Sequence, residues 1–74
     1  FNQGLLSYNL PQAGQVQAEL FDILGRKITT LYEGYRDTGP LTLRLPQKIL
    51  PSGVYLIRLT TPQNMQTAKI VITR

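Results

Sequence analysis

The side chains able to move protons or attack a substrate are few. Four carboxylates are present, Glu19, Asp22, Glu33 and Asp37, and the chain has no His and no Cys. The commonest general base and the commonest strong nucleophile are therefore missing. A hydrolytic pair would need two carboxylates held face to face across a cleft. Asp22 is better explained by a turn, as the first residue of Asp22-Ile23-Leu24-Gly25. Ser52 with Lys48 could in principle make a Ser–Lys pair, but a Ser before Gly53 is ordinary turn chemistry. Asp22 and Asp37 could each touch Ca²⁺, yet that ion takes about six to eight oxygens, usually from clustered acids. No catalytic residue, metal or cofactor is expected.

Recognition is the remaining chemistry. Small all-β modules can bind sugars through a flat row of exposed rings, for which Phe21, Tyr32, Tyr35 and Tyr55 are candidates, although Trp is absent. Tyr8 and Tyr55 suit the core or its rim, with the ring buried and the hydroxyl wet. The net charge of +4 could favour an anionic partner. The basic residues are scattered, however, with only Arg26-Lys27 adjacent. They do not interleave with stacking aromatics, so no nucleic-acid partner is expected. No apolar run approaches the roughly 20 residues of a membrane helix, and membrane insertion is not expected. No signal-peptide pattern occurs. The first residue is Phe1 rather than Met, and the chain reads as a piece from the end of a longer protein.

The elements that must position these residues alternate with period two. Leu6, Tyr8 and Leu10 form one face of a strand, and Val16, Ala18 and Leu20 another. Leu41, Leu43 and Leu45 follow, then Tyr55, Ile57 and Leu59, then Ala68, Ile70 and Ile72. Each set points one way, as a half-buried antiparallel strand requires. Lys27–Glu33 is less regular. Ile28 and Leu31 lie three apart while Thr29, Thr30 and Tyr32 favour a strand, which predicts a strand with a bulge carrying Ile28 and Leu31 into the core. Pro11-Gln12-Ala13-Gly14, Asp22–Gly25, the polar stretch Gly34–Gly39, Pro46–Gly53 and Thr61-Pro62-Gln63-Asn64 are the expected turns and loops. At most one helical turn is expected, near Gln47–Leu50. Turn signals at this spacing predict a sandwich or barrel of six strands, or seven with one trimmed from the front. With 74 residues there is one domain, which can bury only about 60–65% of its unfolded surface. Its core must be aliphatic, because neither disulfides nor a zinc site can staple it.

Several short motifs fall in a definite order. Phe1-Asn2 opens the chain, and Leu10-Pro11 with Gly14 closes the first strand. Asp22-Ile23-Leu24-Gly25-Arg26 follows an alternating strand. Ser52-Gly53-Val54-Tyr55 and Arg58-Leu59 come next, then Lys69 before an apolar run, and Arg74 at the end. This order resembles the type A C-terminal sorting domain of proteins exported by the type IX secretion system of Gram-negative bacteria. The resemblance covers nearly the whole chain. It departs in the middle, where Pro40 follows Gly39 and Leu41–Pro46 lacks the polar or aromatic residues often seen before the Ser-Gly turn.

The resemblance implies an immunoglobulin-like antiparallel β-sandwich, with residues 1–74 as a single domain ending a larger secreted protein. It implies an address: the domain is recognised in the periplasm and directs its cargo through the outer-membrane translocon to the cell surface or beyond. A sortase-like peptidase often then cleaves it and attaches the cargo to anionic lipopolysaccharide, so the domain is substrate and not catalyst. The implied partners are the translocon, the peptidase and the N-terminal cargo of the same chain, and the domain is expected to be a monomer. Gly53, Tyr55, Arg58, Lys69, Val71 and Arg74 are the expected recognition residues. Pro11, Gly14, Asp22, Gly25 and Arg26 form the turn motifs. Gly53 also serves a tight turn and Tyr55 also serves packing. If the last two strands pair, Val54, Leu56, Arg58, Lys69, Val71 and Thr73 share one exposed surface. The alternative is an immunoglobulin-like accessory module of a secreted enzyme, carbohydrate-binding or purely structural. The hook-capping protein of flagella has an immunoglobulin-like domain with the same Asp-x-x-Gly-Arg turn and Gly-x-Tyr strand. Position separates the two readings, since a sorting domain must be the extreme C-terminus.

Overall fold

Alternating apolar residues between strong turn signals produce six strands and no helix among the described residues, which in this computed structural model are 5–46 and 50–73. They are β1 (Leu5–Leu10), β2 (Gly14–Asp22), β3 (Lys27–Arg36), β4 (Gly39–Arg44), β5 (Gly53–Thr60) and β6 (Met65–Ile72). One sheet has the order β3-β2-β5-β6 and the other is the pair β1-β4, all antiparallel. The two sheets pack as a small immunoglobulin-like sandwich. Leu20, Tyr55, Ile57, Ile70 and Ile72 are buried with Leu45 and Leu50 at one end. Leu10, Val16, Ala18 and Leu59 are buried against Leu41 and Leu43 at the other. Leu6, Tyr8 and Leu31 pack half-buried around them.

Two turns explain the hairpins. In the β2–β3 turn the Gly25 amide donates to the Asp22 carbonyl at 3.0 Å, and the Asp22 amide donates to the Arg26 carbonyl at 2.9 Å. Gly25 has φ +86°, the left-handed conformation a three-residue hairpin loop needs at this position. In the β5–β6 turn Thr61 and Asn64 exchange backbone hydrogen bonds around Pro62-Gln63. Pro62 also packs against β2, and a Cβ at Gly14 would lie 2.7 Å from Pro62 Cγ. Gly14 is thus fixed by a close approach between the two turns at that end.

Three expectations need correction. The stretch Gly34–Gly39 is not a loop: β3 runs through Arg36 and β4 begins at Gly39, leaving only Asp37-Thr38 between them. Gly34 stays in the ladder opposite Val16, and Arg36 Nη2 donates to the Pro40 carbonyl at 3.1 Å across the corner. Pro40 stands on a strand that, among the described residues, is hydrogen-bonded to β1 alone, and edge strands are where a sheet accepts Pro. Ile28 does not join the core and is 39% exposed. Bulges are present in β3, as expected, but the pairings Leu20↔Thr29 and Phe21↔Lys27 leave Ile28 as an extra residue, so Thr29 takes the inward place. Ala68 lies opposite the buried Ile57 and so on the inner face, yet it is exposed. With two strands facing four, the sandwich does not close over β6. The connection contributes a buried Leu50 that alternation did not reveal. Lys48 and the helical turn expected near Gln47–Leu50 fall largely on residues 47–49, outside the described residues.

Candidate partner-recognition surface

The outer face of the four-stranded sheet is built by β2, β5 and β6. Pairing of β5 with β6 sets Val54 opposite Val71, Leu56 opposite Lys69 and Arg58 opposite Thr67. Pairing of β5 with β2 sets Leu56 beside Phe21 and Arg58 beside Glu19. Phe21, Leu56, Arg58, Thr67 and the turn residue Gly25 line a shallow depression of about 210 Å³. Val71 stands 54% exposed, and Lys69 is exposed next to it. The expected surface is thus assembled, except that β6 ends at Ile72, one residue before Thr73.

Charge on this face is organised around one residue that alternation alone treats as ordinary solvated surface. Glu19 is only 7% exposed. Its Oε1 accepts from Arg58 Nη2 at 2.9 Å and from Nε at 3.3 Å, and its Oε2 meets Lys27 Nζ at 3.1 Å. The hydrogen bond from Arg58, then that from Lys27, holds the Glu19 carboxyl below its ordinary value. The Arg58 guanidinium also lies over the Phe21 ring, 4.6 Å from its centroid, a favourable cation–π geometry. Three strands are thereby tied together on their outer side. Against the anions Glu19 and Glu33 the same face carries Lys27, Arg58 and Lys69, which leaves it cationic by one charge. The signal in the sequence was a carboxylate and two cations at non-local spacing, which only the register brings together.

The other expected residues take different places. Gly53 opens β5 opposite Ile72. Tyr55 faces inward and is buried, and its hydroxyl donates to the Pro51 carbonyl at 2.6 Å. It fixes the connection leading into β5. Arg74 lies outside the described residues. Pro11 ends β1, and Gly14 starts β2 beneath Pro62. At the opposite end of β2, Asp22 Oδ1 accepts from the amides of Leu24 (3.0 Å) and Arg26 (2.9 Å), and Oδ2 accepts from Arg26 Nε at 2.8 Å. The backbone bond from Arg26, chiefly, keeps the Asp22 carboxyl below its usual range. Asp22, Gly25 and Arg26 thus form one clamped turn that presents Ile23 and Leu24, 62% and 76% exposed, at its tip.

The four candidate sugar-stacking rings share no flat row. Tyr55 is buried, and Tyr32 sits opposite Ala18 on the inner face and donates to the Tyr35 carbonyl. Phe21 lies beneath Arg58, while Tyr35 is exposed opposite Gln15 at the other end of β2.

The described residues thus form a small immunoglobulin-like sandwich whose four-stranded sheet presents an open apolar and cationic face. The sequence pattern of the secretion system C-terminal sorting domain family matches residues 2–73. The chain belongs to this family of type IX sorting domains. Neither curated proteins nor solved structures yield a match. The family makes the chain a C-terminal sorting signal for type IX secretion, carried with a cargo region N-terminal to it. The cargo is exported toward the cell surface or the extracellular space.

Proposed function

We propose that the secretion machinery reads this domain through the outer face of β5 and β6. Val54, Leu56 and Val71 supply apolar contact, and Arg58 and Lys69 set orientation. Arg74, two residues past the last residue of β6 in the sequence, adds a further cation to the address, while Gly53 and Tyr55 fix where β5 begins. The observation that carries this reading is the register Val54↔Val71, Leu56↔Lys69, which puts an apolar strip beside the cation Lys69 on β6. Among the described residues that strand is hydrogen-bonded on one side only. Such an edge can accept a partner strand through backbone hydrogen bonds while flanking side chains give specificity. Charges at its margin steer encounter more than they add affinity. In this reading the outer-membrane translocon engages the domain on its periplasmic side. A sortase-like peptidase then cuts on its N-terminal side and transfers the cargo to an anionic surface glycolipid, with the domain itself doing no catalysis.

The test is export of a reporter fused ahead of the domain in a type IX-competent cell. The unmodified fusion reaches the surface. Lys69→Glu with Arg74→Glu strands the reporter in the periplasm; at the exposed Lys69 a charge change costs within about 0.5 kcal/mol, so a folding defect is not the expected cause. Normal export of that variant removes these cations from the address. An unmodified fusion that stays inside overturns the sorting role itself.

A further inference from the structure

The β2–β3 turn departs from ordinary turn composition. Gly, Pro, Asn, Asp and Ser dominate such positions, yet the tip here is Ile23-Leu24. These are the two most exposed large apolar side chains among the described residues, at 62% and 76%. Asp22 closes the turn beneath them through both its side chain and its backbone. The pair is therefore presented in one orientation, with little chain freedom left to lose on contact. Charge is polarised along the same axis of the domain. Arg26 and Lys27 follow the tip directly, and Lys69 lies opposite Leu56, which pairs with Phe21 just before the turn. Leu45 packs with Leu20 and Tyr55 at this end, which brings the exposed Arg44 here as well. Against these four cations stands Asp22. Glu33 and Asp37 occupy the other end of the domain against Arg36, and Glu19 and Arg58 pair between the two ends.

We infer that the turn end of the domain docks on an anionic bilayer surface. Ile23 and Leu24 enter the boundary between headgroups and acyl chains, and Arg26, Lys27, Arg44 and Lys69 lie over the headgroups. Charge complementarity selects the sign of the partner, because cations gather at the end that carries the apolar tip and the opposite end is anionic. Shape selects its kind. The tip is convex, and its two side chains can make no hydrogen bond. A soluble polyanion would satisfy the cations and leave both aliphatic side chains in water. A bilayer boundary takes up both features at once, and it needs no pocket cut to fit. The contact is peripheral, since two side chains reach the boundary and no segment spans it. Attachment of this size is reversible, far short of a transmembrane anchor. A domain held this way meets membrane-bound machinery by diffusion in a plane, with its turn end fixed toward the lipid. The inference does not depend on which strand that machinery reads.

The experiment is flotation of the purified full-length protein with two kinds of vesicle. One holds phosphatidylglycerol and phosphatidylethanolamine in equal parts, and the other holds phosphatidylcholine alone. The native protein is expected to float with the anionic vesicles, to leave them at high salt, and to bind the neutral ones at least about tenfold more weakly. Ile23→Ser with Leu24→Ser suits a turn and keeps Asp22 and Gly25 in place. It should lower binding to the anionic vesicles by at least about tenfold. Leu24→Trp should keep the binding, and its emission, taken as the difference from the native protein, should move to the blue on those vesicles. Equal binding to both kinds of vesicle overturns the inference. Binding that survives the Ser pair makes this end a plain polyanion site and overturns it too. No vesicle binding by the native protein assigns the tip to a pocket on another protein, which also refutes it. None of these readouts involves secretion, so they stand or fall separately from the recognition surface.

Discussion

Replacing Glu19 by Gln should destabilise the domain by about 1–2 kcal/mol. The figure lies between two limits. Removing one partner of a fully buried ion pair costs about 3–5 kcal/mol, because the other charge is left without water. An exposed pair is worth about 0–1 kcal/mol. Here the Glu19 side chain is 9% exposed, but its partners Arg58 and Lys27 are 40% and 45% exposed and can rehydrate when the anion is gone. Gln preserves the volume and one acceptor. Its amide NH₂ must then face either the Lys27 ammonium or the Arg58 guanidinium, so donor meets donor. For a domain of this size each kcal/mol corresponds to about 4–8 °C, so the midpoint should fall by about 5–15 °C in a thermal melt followed by circular dichroism at neutral pH. The loss should also depend on acidity. The folded-state pKa of Glu19 lies below its ordinary value of 4.5. Its contribution is therefore complete above about that pH and disappears as pH falls through the lower folded value. The gap between native and Glu19→Gln midpoints should be widest at neutral pH and close in acid. A variant that melts within 2 °C of the native domain, or a gap that does not change with pH, would show that the three-strand tie contributes nothing.

The remaining predictions concern the scaffold. Ile57→Ala, at the centre of the inner face, should cost about 2–5 kcal/mol, measurable by urea denaturation; a loss under 1 kcal/mol would place Ile57 outside the core. Gly25→Ala should cost about 1–2 kcal/mol through its left-handed backbone alone, since no atom lies within 4 Å of the added Cβ. Asp22→Ala should loosen the same turn and speed amide exchange at Leu24 and Arg26, and unchanged exchange there would contradict the clamp. Gly14→Ala should destabilise through the Pro62 contact, and Pro62→Ala in the same chain should recover part of that loss. Equal stability of the single and double variants would exclude the contact as the cause.

Strands were legible because alternation is local. The inward sets on β2, β4 and β5 needed only period two and flanking turn residues, and the Asp22–Gly25 turn announced itself by composition. What alternation could not supply was anything set by register or by closure of the sandwich. Ile28 looked like core until a bulge spent it. Ala68 lay on the correct face, but whether a face is covered depends on the strand count of the opposite sheet. Glu19 was one polar residue among several on β2. Its burial follows from Arg58, 39 residues away, meeting it across the β2–β5 seam. Lys69 and Val71 were readable as one side of a strand, and Arg58 joined them only once β5 and β6 paired.

That seam has a consequence for timing. Both β2–β3 and β5–β6 are local hairpins with tight turns, and they meet only along β2 and β5. The N-terminal hairpin can form as soon as it is made, yet β2 keeps one edge unpaired until the final third of the domain has been synthesised. Pairings this distant along the chain form late. A polypeptide cut short just before β5 would possess its cargo and four of the six strands, but neither the seam nor the face that depends on it. Under the proposed reading through the outer face of β5 and β6, the last hairpin makes the address conditional on a finished message, and truncated products would carry no valid destination.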